Sequence, residues 1–237
     1  MIPNECIICG GGSSISEGLI LGLKDRIKDK FVIVLNYSYK YFNHSLLCFG
    51  DKEFYKSTKE DGIYPDIYEE LGKLPLIIGM KQFNDERILH PNTILLPTVD
   101  HYNRRNNIKN GVYCSFLVGI FALSLAIYLM EGKGTIYLLG YDWTKRNEEQ
   151  KNNNEKIDTH YYNIKHRGTQ WTNGYEVHDP NFYFKSFEKE KEIKIYNVSP
   201  NSNINNFEKI DYKKMFEQIS TQTFNQDELR KEIKSRL

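Results

Sequence analysis

The sequence predicts an α/β fold, a mainly parallel sheet with helices on both faces and one polar insertion. Three observations carry that reading. Short apolar runs alternate with helical stretches along the chain, the pattern of strands joined by right-handed crossovers. The first apolar run ends in Gly10-Gly11-Gly12-Ser13-Ser14, the composition of a tight strand-to-helix turn. Val112 to Met130 carries no charge over nineteen residues, as expected of a helix buried on all sides.

The elements follow in order. Cys6 to Cys9 reads as the first strand, and Ser16 to Lys28 as the helix after the glycine turn. Phe31–Leu35 and Leu46–Phe49 are short apolar runs typical of strands buried on both faces. Leu74–Ile78 and Thr93–Leu96 are further strands. The long apolar helix feeds Thr135–Leu139, closed by Gly140. Phe182–Glu192 reads as a helix, Ile193–Val198 as a strand, and Pro200-Asn201-Ser202 as the turn behind it. Lys145 to Tyr175 breaks the pattern; a long polar insert in a compact domain is a lid, a binding loop or disordered. These boundaries give one domain over 1–210, with a lid at about 145–180, and a charged helical tail over 211–237.

Composition removes several classes. With 32 basic and 31 acidic residues the formal charge is +1, which gives no strong nucleic-acid signature; phosphate-backbone binders usually lie above a pI of about 9. The aromatic content of 14% can repay ordering entropy, so disorder of the whole chain is excluded. Met1-Ile-Pro-Asn-Glu has no basic n-region, and the uncharged run is interrupted by Ser115, Gly119 and Ser124 without a basic flank; a cytoplasmic protein is expected rather than a secreted or membrane-spanning one. Cys6 and Cys9 form C-x-x-C within a strand, where residues three apart point to opposite faces, so buried thiols are expected instead of a redox or zinc pair.

The glycine turn is the first candidate for chemistry. Gly10, Gly11 and Gly12 let backbone N–H groups approach a phosphate, and Ser13 and Ser14 add donors. The dinucleotide fingerprint is incomplete: Ile15 stands where a third glycine belongs, and Asn36 where an acid would bind a ribose. That argues against nicotinamide enzymes and methyltransferases, and no P-loop lysine motif occurs. The second candidate is the polar insert, which holds His160, His166 and His178 within nineteen residues, with Tyr161, Tyr162, Lys165 and Arg167. Histidine accepts a proton near neutral pH, and tyrosine hydroxyls can support a leaving phosphate. The irregular spacing gives no zinc set.

Five segments together resemble a family. Ile7-Ile-Cys-Gly-Gly-Gly-Ser-Ser-Ile15 is similar to the I-x-G-x-G-P-S-L loop of bacterial sialyltransferases of the Campylobacter lipooligosaccharide type, a loop shared with the Maf and hydroxymethylpterin diphosphokinase-like domain. Val34-Leu-Asn36-Tyr-Ser-Tyr resembles the second strand of that family. Asn110-Gly111-Val-Tyr-Cys114 and Ile136-Tyr-Leu-Leu-Gly140-Tyr-Asp142-Trp resemble S-G-V-Y-x-C and I-Y-L-x-G-x-D-F. Ile193-Lys-Ile-Tyr-Asn-Val-Ser-Pro-Asn-Ser202 resembles the closing strand and its C-P-N-S turn. The segments span roughly residues 5 to 207 in the order of the family. This sequence departs at Ser13 for the loop proline, at Asn107 for an arginine (Arg105 is near), and at Thr144 for a tyrosine two residues past the aspartate.

The resemblance implies a single Rossmann-like, GT-A-type domain that transfers a sugar with inversion from a nucleotide-activated donor to an acceptor hydroxyl. It implies a histidine base and no bound metal. The expected donor is a CMP-sugar, with a UDP-sugar as alternative; the acceptor is a glycan or another hydroxyl. Gly10 to Ser14 would hold the donor phosphate, Asn36 and Asp142 the nucleoside, with Asp51, Asn110, Gly111 and Gly140 around the same site. Tyr161 or Tyr162 would support the leaving phosphate. Spacing back from Ile193 favours His178 as base and spacing on from His160 favours His166, with His178 placed first. A homo-oligomer is expected, peripheral membrane contact stays open, and the Asn-, Lys- and Ile-rich composition points to an AT-rich bacterial or phage genome. The alternatives are a pterin-type diphosphokinase, with Mg²⁺ held by Asp51, Glu53 and Asp142, and a degenerate nucleotide-binding module.

Overall fold

Side chains alternate across the first strand, β1 (Glu5–Cys9): Ile7 and Cys9 enter one core layer, and Cys6 and Ile8 the other. The period of two puts the C-x-x-C thiols on opposite faces. All four cysteines are buried and free, and burial pushes the Cys6, Cys9 and Cys48 thiols up, away from reactive thiolate. The computed structural model describes residues 1–50, 65–81, 90, 92–102, 108–115, 117–143 and 179–237, and the side chains of 65–68 are left aside. The lid, with His160, Tyr161, Tyr162, His166 and His178, lies outside the described residues, as do Asp51, Glu53, Arg105, Asn107 and Thr144.

Beside β1 run β2 (Val32–Leu35), β3 (Leu46–Phe49), β4 (Ile77–Met80) and β5 (Thr93–Leu96) on one side. Two short strands, β6 (Thr98–Val99) and β7 (Val112–Tyr113), pair with each other in a separate ribbon. On the other side of β1 run β8 (Gly134–Leu139), β9 (Ile193–Asn197) and β10 (Glu208–Lys209). The eight strands form one sheet in the order β10–β9–β8–β1–β2–β3–β4–β5, and every pairing is parallel. This is an α/β architecture of the Rossmann-like kind. Four-residue strands such as Val32–Leu35 and Leu46–Phe49 are buried throughout, because helices cover both faces of the sheet.

One face packs on α1 (Ile15–Ile20) and α2 (Leu23–Ile27), and Leu71 of α3 (Pro65–Gly72) joins the same layer. The expected single helix over 16–28 is broken in two at Gly22, whose φ of 81° no β-carbon tolerates easily. The opposite face is dominated by α4 (Val118–Leu129), apolar on all sides. The uncharged run expected as one helix over 112–130 therefore divides into β7, a turn at Ser115 (φ 41°) and a twelve-residue helix. Among the described residues no helix is long and apolar enough to cross a membrane. The helix expected over 182–192 is α5 (Pro180–Phe184) followed by a 3₁₀ turn over Lys185–Lys189. The strand expected at 74–78 is shifted to 77–80.

The tail holds α6 (Tyr212–Gln218) and α7 (Gln226–Arg236), and it is woven into the domain. Tyr212 and Met215 join one core layer, and Leu229 and Ile233 the other. Residues 220–236 cross the amino-terminal ends of the strands. The Lys30 amine donates to the carbonyls of Ser220 and Gln222, Gln226 Nε2 to Lys30 O at 2.9 Å, and Arg230 Nη2 to His44 O at 2.7 Å. Further along, Arg236 Nη1 reaches Leu129 O at 3.1 Å.

Candidate functional site

The chain runs outward from β1 in both directions, through β2 to β5 on one side and through β8 to β10 on the other. Strand order thus reverses between β1 and β8, and in open parallel sheets ligands bind in the crevice beyond the carboxyl ends of the strands at that reversal. Gly10–Ser14 leaves β1 there, and Gly140–Trp143 leaves β8.

The two turns touch through backbone. Gly10 N donates to Leu139 O at 2.7 Å and Gly12 N to Gly140 O at 2.9 Å. A β-carbon on Gly12 would lie 2.6 Å from Gly140 O and 2.6 Å from the Asp142 carboxylate, and one on Gly140 would lie 2.8 Å from Gly12 N. Close approach of two backbones, rather than a ligand alone, accounts for glycine at both places. Ser38, in the 3₁₀ turn Asn36–Lys40 after β2, donates to Gly10 O at 2.7 Å and ties a third strand end to the same loop.

Asp142 gathers the crevice. Its Oδ2 accepts from Ser14 N at 2.8 Å and Ser13 Oγ at 3.3 Å; its Oδ1 accepts from Ser14 Oγ at 2.5 Å and Ser199 Oγ at 2.6 Å. Ser14 and Ser199 hydroxyls lie 2.7 Å apart. Charge-assisted bonds of this kind are the stronger ones, so a carboxylate taking four donors fixes the loop. The backbone behind it is held too. Asn203 N donates to Asp142 O at 3.0 Å and Asn203 Nδ2 to Trp143 O at 2.8 Å, while Asn197 Nδ2 and Ser202 Oγ both donate to Tyr141 O. Trp143 (φ 50°) and Asn36 (φ 45°) are both left-handed without being glycine. Such residues persist where their surroundings over-determine them, and they concentrate at functional sites.

Beneath the loop, Tyr212 of α6 lays its ring where a β-carbon on Gly18 would stand, 2.4 Å away. Burial first, then Cys9, Asp142 and Glu17, push the Tyr212 phenol up, so it stays protonated. Burial likewise pushes Tyr141 up; its hydroxyl donates to Gly119 O at 3.0 Å in the first turn of α4.

The sequence-derived candidates therefore separate. Gly10, Gly11, Gly12, Ser13, Ser14, Gly140 and Asp142 converge, with Asn36 at the next strand end. Asp142, expected to touch a nucleoside, has its carboxylate engaged by serines, and the amides of Gly10, Gly12 and Ser14 are engaged by protein acceptors. The loop amides without an acceptor among the described residues are those of Gly11 and Ser13. Asn110 and Gly111 do not join the cluster. Gly111 lines a cavity beside Tyr128, nine residues and roughly 13 Å along α4 from Gly119. The sequence assigns no role to Ser199, Ser202, Asn203, Ser38 or Tyr212; for Ser199 and Ser202 the Ser-Pro-Asn-Ser turn after β9 is the available signal. No family model, curated protein or solved structure matches the chain.

Proposed function

We propose that the chain is a GT-A-type glycosyltransferase that holds a nucleotide-activated sugar in the crevice between β1 and β8. One observation carries the reading: the glycine turn lies at the reversal of strand order and is clamped from across the sheet by Asp142. The donor phosphate lies against the Gly11 and Ser13 amides and the Ser13 hydroxyl, which is exposed. Asn36, half-buried at the end of β2, faces the nucleoside as a donor and acceptor. Asp142 positions the loop and does not itself bind the donor.

In the transfer, the acceptor oxygen attacks the anomeric carbon as the bond from that carbon to the phosphate oxygen breaks, with inversion. The acceptor proton passes to a lid histidine, His178 first among His178, His166 and His160, and the nucleotide leaves with the bonding electrons. Tyr161 or Tyr162 supports the departing phosphate in place of a metal ion. A CMP-sugar is the donor of choice, with a UDP-sugar as alternative.

Thermal-shift measurements with CMP, CDP, UDP, GDP and ATP, each with and without Mg²⁺, test the binding step. A ligand that binds only the folded chain raises the melting temperature by mass action. CMP or UDP is expected to raise it equally in EDTA, and donor hydrolysis is expected to survive EDTA. A response to ATP alone, strictly requiring Mg²⁺, would replace this reading with pyrophosphoryl transfer.

A further inference from the structure

The cavity that Gly111 lines holds about 230 Å³, is partly open to solvent and lies away from the crevice. Its described lining includes Tyr102, Tyr113 and Tyr128, together with Val112, Ile127 and Ser124. Protein interiors are close-packed, so a space of this size is filled by water or by a guest. Ordered water needs two to four polar partners; the described lining is mixed, and its four hydroxyls already have protein partners. Tyr102 Oη donates to Glu190 Oε1 at 2.6 Å and Ser124 Oγ to Ile120 O at 3.0 Å. Tyr113 and Tyr128 hydroxyls each reach a backbone carbonyl at 3.4 Å, of Tyr183 and Arg236. Each of these hydroxyls has a protein acceptor within reach, which leaves its oxygen free to accept from the O–H or N–H of a guest.

Of the lining residues, Glu131 is paired with Arg236 Nη1 at 2.8 Å, so its charge is already balanced and a neutral guest suits the space. Three aromatic walls favour a flat one, through offset and edge-to-face ring contacts. A cavity of about 150 Å³ accepts benzene, so the space here fits one ring or two fused rings. We propose that this cavity binds a neutral aromatic molecule of phenol to indole size, at a site separate from the nucleotide crevice. The proposal is independent of the glycosyltransferase reading, because it rests on the far half of α4.

Titration of the ¹⁵N-labelled full chain with indole and with phenol tests it. Saturable shifts are expected at amides 111–113, 124–128 and 131–132, with those of 10–14 and 140–143 unmoved. The dissociation constant is expected below about 1 mM, an affinity ordinary for a small apolar guest. Ser124→Leu puts a side chain into the space and is expected to weaken binding at least tenfold while keeping the melting temperature. Should that variant not fold, Ile127→Phe fills the cavity from the adjacent wall. Absence of saturable shifts up to the solubility of both compounds, shifts centred on 10–14, or undiminished binding to the filled variant would each overturn the proposal.

Discussion

The two ends of the sheet are tied down by opposite arrangements of the same kinds of bond. At the carboxyl ends of β1, β8 and β9, four donors converge on a single carboxylate, that of Asp142. At the amino ends, the bonds are dealt out one by one: Lys30, Gln226, Arg230 and Arg236 each reach a different carbonyl or pair of carbonyls. The first arrangement makes one position decisive and fixes a loop. The second spreads the same work over a helix, so no single loss is severe. A binding site calls for the first, since preorganised donors and acceptors bind without reordering.

Substitution can break that contrast. Asp142→Ala leaves Ser14 N, Ser14 Oγ and Ser199 Oγ without their acceptor and is expected to cost about 3 kcal/mol in urea denaturation. The nucleotide-induced thermal shift should disappear with it. A loss under about 1 kcal/mol would show that the serines find other acceptors and that the carboxylate is not decisive. Lys30→Met at the other end is expected to cost about 1.5 kcal/mol, because its two carbonyls regain water when the chain loosens.

Double-mutant cycles sharpen the comparison. Ser14→Ala and Ser199→Ala remove groups 2.7 Å apart that share one acceptor, and a coupling near 1 kcal/mol in magnitude is expected. Gln226→Ala and Arg236→Ala lie roughly 15 Å apart along α7 and should add to within about 0.5 kcal/mol. Equal coupling in both cycles would erase the distinction between the two ends.

The smallest effect concerns pH. His44 is buried beneath the tail; burial first, and then Arg230, lower its affinity for a proton, while the bond between its Nδ1 and Phe42 O works the other way. Its neutral form is therefore favoured in the folded chain. The stability it confers is complete above the unfolded value of 6.5 and is lost as pH falls through the lower folded value. His44→Gln should flatten the stability profile below about pH 6.5, by less than 1.4 kcal/mol per pH unit. Parallel profiles for the two proteins would show that His44 does not titrate in that range.

Much of the sheet was legible because its strands are apolar runs bounded by turn residues. Leu46–Phe49 and Thr93–Leu96 fall where the sequence put them. The boundary inside Val112–Met130 was not legible, since β7 and α4 are both buried and an uncharged run has no polar contrast to mark where extended chain becomes helix. At the crevice, composition pointed to Gly10–Ser14 and Asp142 but not to what they do. That depends on a contact between positions 128 residues apart, and on Ser199, whose turn is visible in the sequence while its partner, 57 residues earlier, is not. In α7, Leu229 and Ile233, four residues apart, are the only apolar sign of docking within a highly charged stretch. Gln226 and Arg230 read as solvated until the strand ends they meet are known.

The central position of β1 has a consequence for how the chain comes to be made. Its partner on one side, β2, follows within a few dozen residues, but Cys9 pairs with Leu139 on the other, roughly 130 residues later. At ribosomal rates of about 5–20 residues per second, that edge waits roughly 7–26 s for its neighbour. Through that interval a wholly apolar segment, Cys6–Cys9, offers an unpaired row of backbone donors and acceptors to any other nascent chain. Yield of folded protein in cell-free translation should accordingly fall as the density of nascent chains rises, and it should recover when a holding chaperone occupies that edge until β8 arrives.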